Sequence, residues 1–324
     1  MLTGLGMFIW KVQNCEGGKI DAIVKTAVDA HLSHVLIKIA DGPYPYNAAY
    51  VQDLTGAMRA AGLQVFGWQY IYGKAPSAEA LAVIPIIQEL DLDGFVVNAE
   101  AEYKTPGSAA RAKLYMQTLR AGVGLDLPIA LSSYRWPSYH REFPFAAFLE
   151  LCDFAMPQVY WMQAHNPTYQ LQRTLTEYAG LAVRRPVFPT GACFRQSGWQ
   201  PTAVEVAAFI QACKDHGLMG CNFWEWGNAR SYVQDGWEVI RSTGWANTPA
   251  PEPDPVPGEH SMRVLVDGLR VRKNPSLSAP VEDYLSEGQL VRIVNIVSTE
   301  LWAQLSDGNY AAVLVDGKRY MEDA

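Results

Sequence analysis

Asp93-Gly94-Phe95-Val96-Val97-Asn98-Ala99-Glu100 decides the reading of this chain. A turn signal opens the run, four of the next five residues are apolar and suit a buried strand, and an acid closes it. Side chains alternate faces along a strand. Val96, Asn98 and Glu100 therefore share one face, and Phe95, Val97 and Ala99 share the other. The second face is wholly apolar, as a face covered by helices requires. The first turns polar only at its C-terminal end. A carboxylate there, two residues past an amide, suits catalysis at the mouth of a parallel barrel. A strand-end Glu that caps a helix or pairs with an Arg is the structural alternative.

Working outward, apolar strand-like runs alternate with segments of helical period. Strands are expected at 5–12, 34–40, 64–71, 93–100, 128–133, 153–160, 186–191 and 218–225. Helices are expected at 19–31, 47–61, 77–90, 107–122, 142–150, 168–180, 202–216 and 229–242. Ser77 and Thr202 stand where helix N-caps are needed, and Gly62 and Gly217 follow helix ends. Eight strand–helix pairs predict an α/β fold, a (β/α)8 TIM barrel over residues 1–246. An open doubly wound sheet would normally carry a Gly-rich phosphate turn after its first strand, where this chain has only Gly17-Gly18.

The composition then breaks. From Thr248-Pro249 to Pro257-Gly258 every second residue is Pro. Such a segment is stiff and extended, and 247–260 is expected to be a linker. Beyond it, 261–324 shows short β-like runs at Met262–Val266, Leu269–Arg272, Leu290–Val297, Trp302–Leu305 and Tyr310–Val315. Turn residues at Asp267-Gly268, Asn274-Pro275, Glu287-Gly288 and Asp307-Gly308 separate them. This predicts a small all-β barrel.

Net charge of −7, with no Lys/Arg cluster to offset it, argues against binding to nucleic acid. The 49% hydrophobic and 18% charged content is that of a globular protein. Ten Trp and sixteen Tyr supply flat faces suited to sugar rings. Cys15, Cys152, Cys193, Cys213 and Cys221 are odd in number, lack CxxC spacing and fall largely in apolar segments. Buried free thiols made in a reducing compartment are expected, with no metal site and no cofactor. His31 and His34 form an HxxH where a helix gives way to a strand, a poor place for a metal pair. The apolar run Leu5–Trp10 lacks a basic leader and a cleavage site, so it is read as a first strand. No run is long enough to span a membrane.

Strand ends list what a barrel mouth would hold. Lys11 and Gln13 follow the first strand, Lys38 and Asp41 the second, Gln69, Tyr70 and Tyr72 the third. The fourth gives Asn98, Glu100 and Glu102, and the fifth Ser132, Ser133, Tyr134 and Arg135. The sixth gives Gln158, Tyr160 and Trp161, the seventh Thr190, and the eighth Asn222, Trp224, Glu225 and Trp226. Acids, amides and aromatics at one rim are the profile expected of a carbohydrate site. Glu100 and Asn98 are the catalytic candidates. Asp41, Gln69, Tyr70, Tyr134, Gln158, Tyr160, Trp224 and Glu225 are the substrate-binding ones, with Glu225 also a candidate second acid. Glu102 is read as a solvated loop residue.

The strand Asp93–Glu100 resembles the fourth strand of chitinase-type glycoside hydrolases, DGxDxDxE, in its first Asp, its Gly and its final Glu. Val96 and Asn98 replace the middle acids. The Asn-x-Glu ending resembles the chitinase-related endo-β-N-acetylglucosaminidases. Val35-Leu36-Ile37-Lys38-Ile39-Ala40-Asp41-Gly42 and Val65-Phe66-Gly67-Trp68-Gln69-Tyr70 are similar to the second and third strands of the GH25-type lysozymes, whose first-strand Asp has no counterpart here. In the tail, Leu269-Arg270-Val271-Arg272, Asn274-Pro275-Ser276, Glu287-Gly288-Gln289-Leu290-Val291 and Trp302-Ala303-Gln304-Leu305 resemble the bacterial SH3 family.

These resemblances imply a glycosidase acting on peptidoglycan or a related N-acetylhexosamine polymer, with an SH3-like domain that binds the cell wall. They imply release to the wall after cytoplasmic synthesis, or carriage on a virion. Glu100 would be the general acid, in a dry aromatic surround that lets a carboxyl keep its proton. No second carboxylate is needed if the substrate's 2-acetamido group attacks, oriented by Asn98 about 6.5–7 Å along the strand. The rival reading is a non-catalytic carbohydrate-binding barrel that has lost its charged pair.

Overall fold

The computed structural model describes residues 2–245, 260–297, 301–305, 309–315 and 318–323. They belong to two compact units, Met1–Ala246 and Asn247–Ala324. The Pro-rich run expected as a linker lies, up to Glu259, outside the described residues.

In the first unit the strands are β1 (Gly4–Ile9), β2 (His34–Asp41), β3 (Tyr44–Pro45), β4 (Gln64–Ile71), β5 (Gly94–Ala99), β6 (Ile129–Tyr134), β7 (Phe154–Val159), β8 (Thr190–Ala192) and β9 (Gly220–Trp224). The helices are α1 (Ile20–Asp29), α2 (Val51–Ala60), α3 (Pro76–Glu89), α4 (Ser108–Val123), α5 (Phe145–Leu149), α6 (Pro167–Ala179), α7 (Ala203–Asp215), α8 (Trp226–Tyr232) and α9 (Gln234–Thr243). Apart from the two-residue β3, which folds back on β2, the strands pair in parallel. Because β1 pairs with both β2 and β9, the sheet closes into an eight-stranded barrel ringed by helices.

Alternation divides the core in two. Phe8, Leu36, Phe66, Trp68, Val96, Ala130, Met156 and Phe188 fill the barrel. Leu5, Met7, Ile9, Val35, Ile37, Phe95, Val97 and Ala99 face the helices. Full burial of a large apolar side chain contributes about 1.5–3 kcal/mol, so both faces of each strand are committed. Gly6 is required by space: a Cβ there would fall 1.9 Å from His34 Nε2 inside the barrel. Acids pin the strand starts. Asp93 Oδ2 accepts the Val65 amide at 2.8 Å, and Asp153 Oδ2 accepts the Ile129 amide at 2.8 Å while pairing with Arg120 at 2.6 Å.

Several boundaries move from expectation. The first strand ends at Ile9, because Val12–Asn14 turn into a 3-10 helix. The seventh shrinks to three residues, as Pro186 and Pro189 lack the N–H a ladder needs. The last expected helix divides at Val233 into α8 and α9. Ser77 lies inside α3 and caps nothing. Thr202 does cap α7, in a reciprocal box with Glu205. Gly62 and Gly217 take positive φ after their helices.

The second unit is an antiparallel sheet of eight strands: β10 (His260–Val264), β11 (Leu269–Arg272), β12 (Val281–Leu285), β13 (Leu290–Val297), β14 (Leu301–Leu305), β15 (Tyr310–Val315), β16 (Lys318–Arg319) and β17 (Met321–Asp323). Its core gathers Met262, Val264, Leu269, Val271, Leu285, Ala303, Leu305, Ala311, Val313 and Met321. β12 was not expected, since Val281–Tyr284 are exposed and carry no apolar alternation.

Candidate active site

β5 delivers its residues as the alternation predicts. Val96 is in the barrel interior and Asn98, 6% exposed, stands above it. Glu100 follows at the strand's C-terminal end, half-buried at the mouth. From β7, Gln158 reaches across: its Nε2 donates to Glu100 Oε1 at 2.9 Å and to Asn98 Oδ1 at 3.2 Å, with Ser132 Oγ of β6 at 3.5 Å. The Asn98 amide has a second setting. Turned over, its nitrogen donates to Glu100 Oε1 and to the Ser132 carbonyl, both at 3.2 Å. That setting faces the Asn98 nitrogen toward Gln158 Nε2, two donors, so one bond is exchanged for two. In either setting an amide contacts Glu100.

Aromatic rings make the walls. Trp224 at the end of β9 contacts Phe8 at 5.5 Å, Trp68 at 5.4 Å and the more exposed Trp10 at 6.3 Å, centroid to centroid. Tyr134 of β6 stacks on His140 at 3.7 Å, with the Lys104 amine 4.1 Å above the Tyr134 ring. Lys104 donates to His140 Nδ1 at 2.6 Å. Burial, then the neighbouring Lys104 and Arg135 charges, pushes the His140 pKa down. Tyr160 packs on Phe194 at 5.1 Å. The Tyr134 phenol is pushed up to about 12 by burial and by the Glu100 and Glu102 carboxylates. Burial, then Glu100 and Glu225, raises Tyr160 well above the usual phenol range.

Glu102, read from sequence as loop solvation, belongs to the site. It lies in the 3-10 turn Ala101–Lys104, and Tyr70 OH donates to its Oε2 at 2.8 Å. The sequence offered no sign of this, because Tyr70 and Glu102 are 32 residues apart. The Lys38 amine joins the site as well. It is buried at the mouth, 4.9 Å over Trp68 and 4.4 Å over Tyr46, and pairs with Asp41 at 3.3 Å. Burial lowers its pKa and Asp41 partly restores it. Asp41 also accepts from Tyr72 OH at 2.9 Å. With Tyr44, Tyr46, Tyr72 and the β4–α3 loop it lines a cleft of about 560 Å³.

Two predicted residues point elsewhere. Gln69 lies on the helix-facing side of β4, fully buried; its Nε2 donates to the Gly42 and Glu79 carbonyls and its Oε1 accepts from Tyr115 OH. It is a sealed structural amide. Glu225 is the N-cap of α8, accepting the Gly227 and Asn228 amides at 3.1 and 2.8 Å. Its carboxylate is occupied as a cap, so the second-acid assignment is withdrawn. His34 is turned into the barrel, where its Nε2 meets Asn222 Oδ1, and His31 is exposed.

No family model matches the sequence, and no curated protein matches it. Solved structures do. A class V chitinase from Nicotiana tobaccum superposes with a TM-score of 0.58 at 9% identity, over 74% of this chain and 99% of that one. The spore cortex-lytic enzyme SleL of Bacillus cereus gives 0.55 at 8% identity, over 74% and 73%. The glycoside hydrolase domain of PgaB from Bordetella bronchiseptica gives 0.53 at 11%, over 74% and 98%. At such identities the likeness is one of fold alone, a (β/α)8 barrel.

Proposed function

We propose that the barrel is a glycoside hydrolase acting on an N-acetylhexosamine polymer, with peptidoglycan as its target. The observation that carries this reading is the hydrogen-bonded trio Glu100, Gln158 and Asn98, set at the C-terminal end of parallel strands among Trp and Tyr rings. A barrel mouth is where such folds place their chemistry. The fold shared with chitinases and a cortex-lytic enzyme supports the choice of polymer.

In the reaction, Glu100 gives its proton to the glycosidic oxygen, and the C1–O bond breaks toward that oxygen. The 2-acetamido carbonyl oxygen of the same sugar bonds to C1 and forms an oxazolinium ion. Asn98 accepts the acetamido N–H through Oδ1 and so aims that oxygen. Gln158 fixes both Glu100 and Asn98. Water then adds to C1, its proton returns to the Glu100 carboxylate, and the ring opens. We read the second unit as an SH3-like module that tethers the enzyme to the wall, which fits its small antiparallel sheet and the motifs in its sequence.

The neutral Asn98 favours a second reading, a barrel that binds glycan without cleaving it. One experiment separates them. Reducing-end release from peptidoglycan and chitin oligosaccharides is compared for the wild type and Glu100→Gln. The expected loss is at least about 100-fold in kcat, or roughly 3 kcal/mol, with sugar binding kept. Equal turnover in the variant removes Glu100 from the mechanism. Binding without turnover in the wild type selects the second reading.

A further inference from the structure

Resting on that reading, we propose that Glu102, positioned by Tyr70, is the anionic partner of the reaction that Asn98 cannot be. An oxazolinium spreads one positive charge over its O–C–N atoms. Asn98 can orient the acetamido group but brings no charge to balance it. The described residues supply a second carboxylate at the mouth from two positions further along the chain.

Three features aim it there. The 3-10 turn Ala101–Lys104 begins directly after Glu100, with the Tyr103 amide bonding back to the Glu100 carbonyl at 3.0 Å. Tyr103 is fully buried and packs on Phe148 at 4.9 Å, so the turn is anchored on the helix side. Tyr70 OH holds Glu102 Oε2 at 2.8 Å, and Tyr70 is the residue of β4 paired in register with Asn98. Tyr70 and Tyr134 both have their pKa raised by burial and by the two carboxylates, so Glu100 and Glu102 act on the same two phenols. Among the described residues no Lys, Arg or His stands within ion-pair distance of either acid. Glu102 has a hydrogen bond from Tyr70 but no ion-pair partner among the described residues, and a cation forming at C1 would supply one. No proton need pass to Glu102. It stays a carboxylate through both steps while Glu100 gives and regains its proton.

The test uses the full chain with Glu102→Gln and Tyr70→Phe, and two readouts. Steady-state cleavage of chitin oligosaccharides and muropeptides should show kcat lowered 30-fold or more in Glu102→Gln with KM within threefold. Tyr70→Phe should give a smaller loss of the same kind. Calorimetric binding compares 2-acetamido-1,2-dideoxynojirimycin, a cation near neutral pH, with neutral tri-N-acetylchitotriose. Glu102→Gln should weaken the cation at least tenfold and leave the trisaccharide unchanged. This second readout needs no turnover, so it decides the role of Glu102 even where the hydrolase reading fails for want of cleavage. Unchanged binding of the cation in Glu102→Gln overturns the proposal. So does a wild type that binds neither sugar, or a variant that loses cation and trisaccharide alike.

Discussion

His34 Nε2 and Asn222 Oδ1, 188 residues apart in the chain, meet at 2.6 Å inside the closed barrel, both fully buried. Such a pair places the proton of the imidazole on Nε2, because a buried polar group without a partner is costly. Burial lowers the His34 pKa from 6.5 to about 4. The folded protein therefore binds this proton less tightly than the unfolded chain. Its contribution is complete above the unfolded value and is lost as pH falls from about 6.5 to about 4, on the order of 3 kcal/mol. Urea unfolding at pH 7, 5.5 and 4.5 should show a slope in the wild type that His34→Gln flattens. Parallel slopes would mean that His34 is protonated in the fold.

Gln158 should matter to rate more than to stability. Replacing it with Leu keeps the volume but removes both the 2.9 Å bond to Glu100 and the 3.2 Å bond to Asn98. The expected effect is a fall in kcat of about 10- to 100-fold. The melting temperature, followed by circular dichroism, should move little. Wild-type turnover in the variant would exclude Gln158 from positioning the acid.

Glu79 has a structural task of unusual density. Its carboxylate accepts the backbone amides of Tyr72, Gly73, Lys74 and Ala75 at 2.8–3.4 Å, and it is 1% exposed. Glu79→Ala leaves four donors without that acceptor. A loss of about 3 kcal/mol is expected in chemical denaturation. Faster amide exchange should be confined at first to residues 72–75.

Glu225 tests the corrected assignment. As the N-cap of α8, its replacement by Ala should cost about 1–2 kcal/mol of stability. Cleavage of small oligosaccharides should stay within threefold of the wild type. A hundredfold loss of kcat in a folded variant would return Glu225 to the list of acids.

Residues 1–246 should fold alone. They hold their own core and every residue assigned to the site. The truncated barrel should keep the far-ultraviolet spectrum of its part and cleave small soluble glycans at the full-length rate. Action on whole walls should weaken, because tethering raises local substrate concentration. An insoluble fragment would refute the division.

The barrel was legible because two periods competed cleanly along the chain, and β5 was the clearest case: its inward and outward residues fall as alternation requires. The same rule places two of the expected site residues away from the mouth. Gln69 precedes Tyr70 and Glu225 follows Trp224, so neither can share the inward face of its neighbour. Glu102 was beyond reach, since its partner Tyr70 is set by strand pairing and not by local sequence. The shortened seventh strand is a matter of proline: a run may be apolar and still lack the amides to join a ladder.

All five cysteines are buried and unpaired. Burial pushes the Cys152 thiol up to about 12 and raises the Cys15, Cys193 and Cys213 thiols as well. Thiolates are the reactive species, so the native protein should be nearly inert to maleimides while folded. A single cysteine placed at Tyr44, 72% exposed on the rim of the cleft, would then be the preferred site of attachment. A fluorophore there could report glycan entering the mouth with no need to strip the natural thiols first.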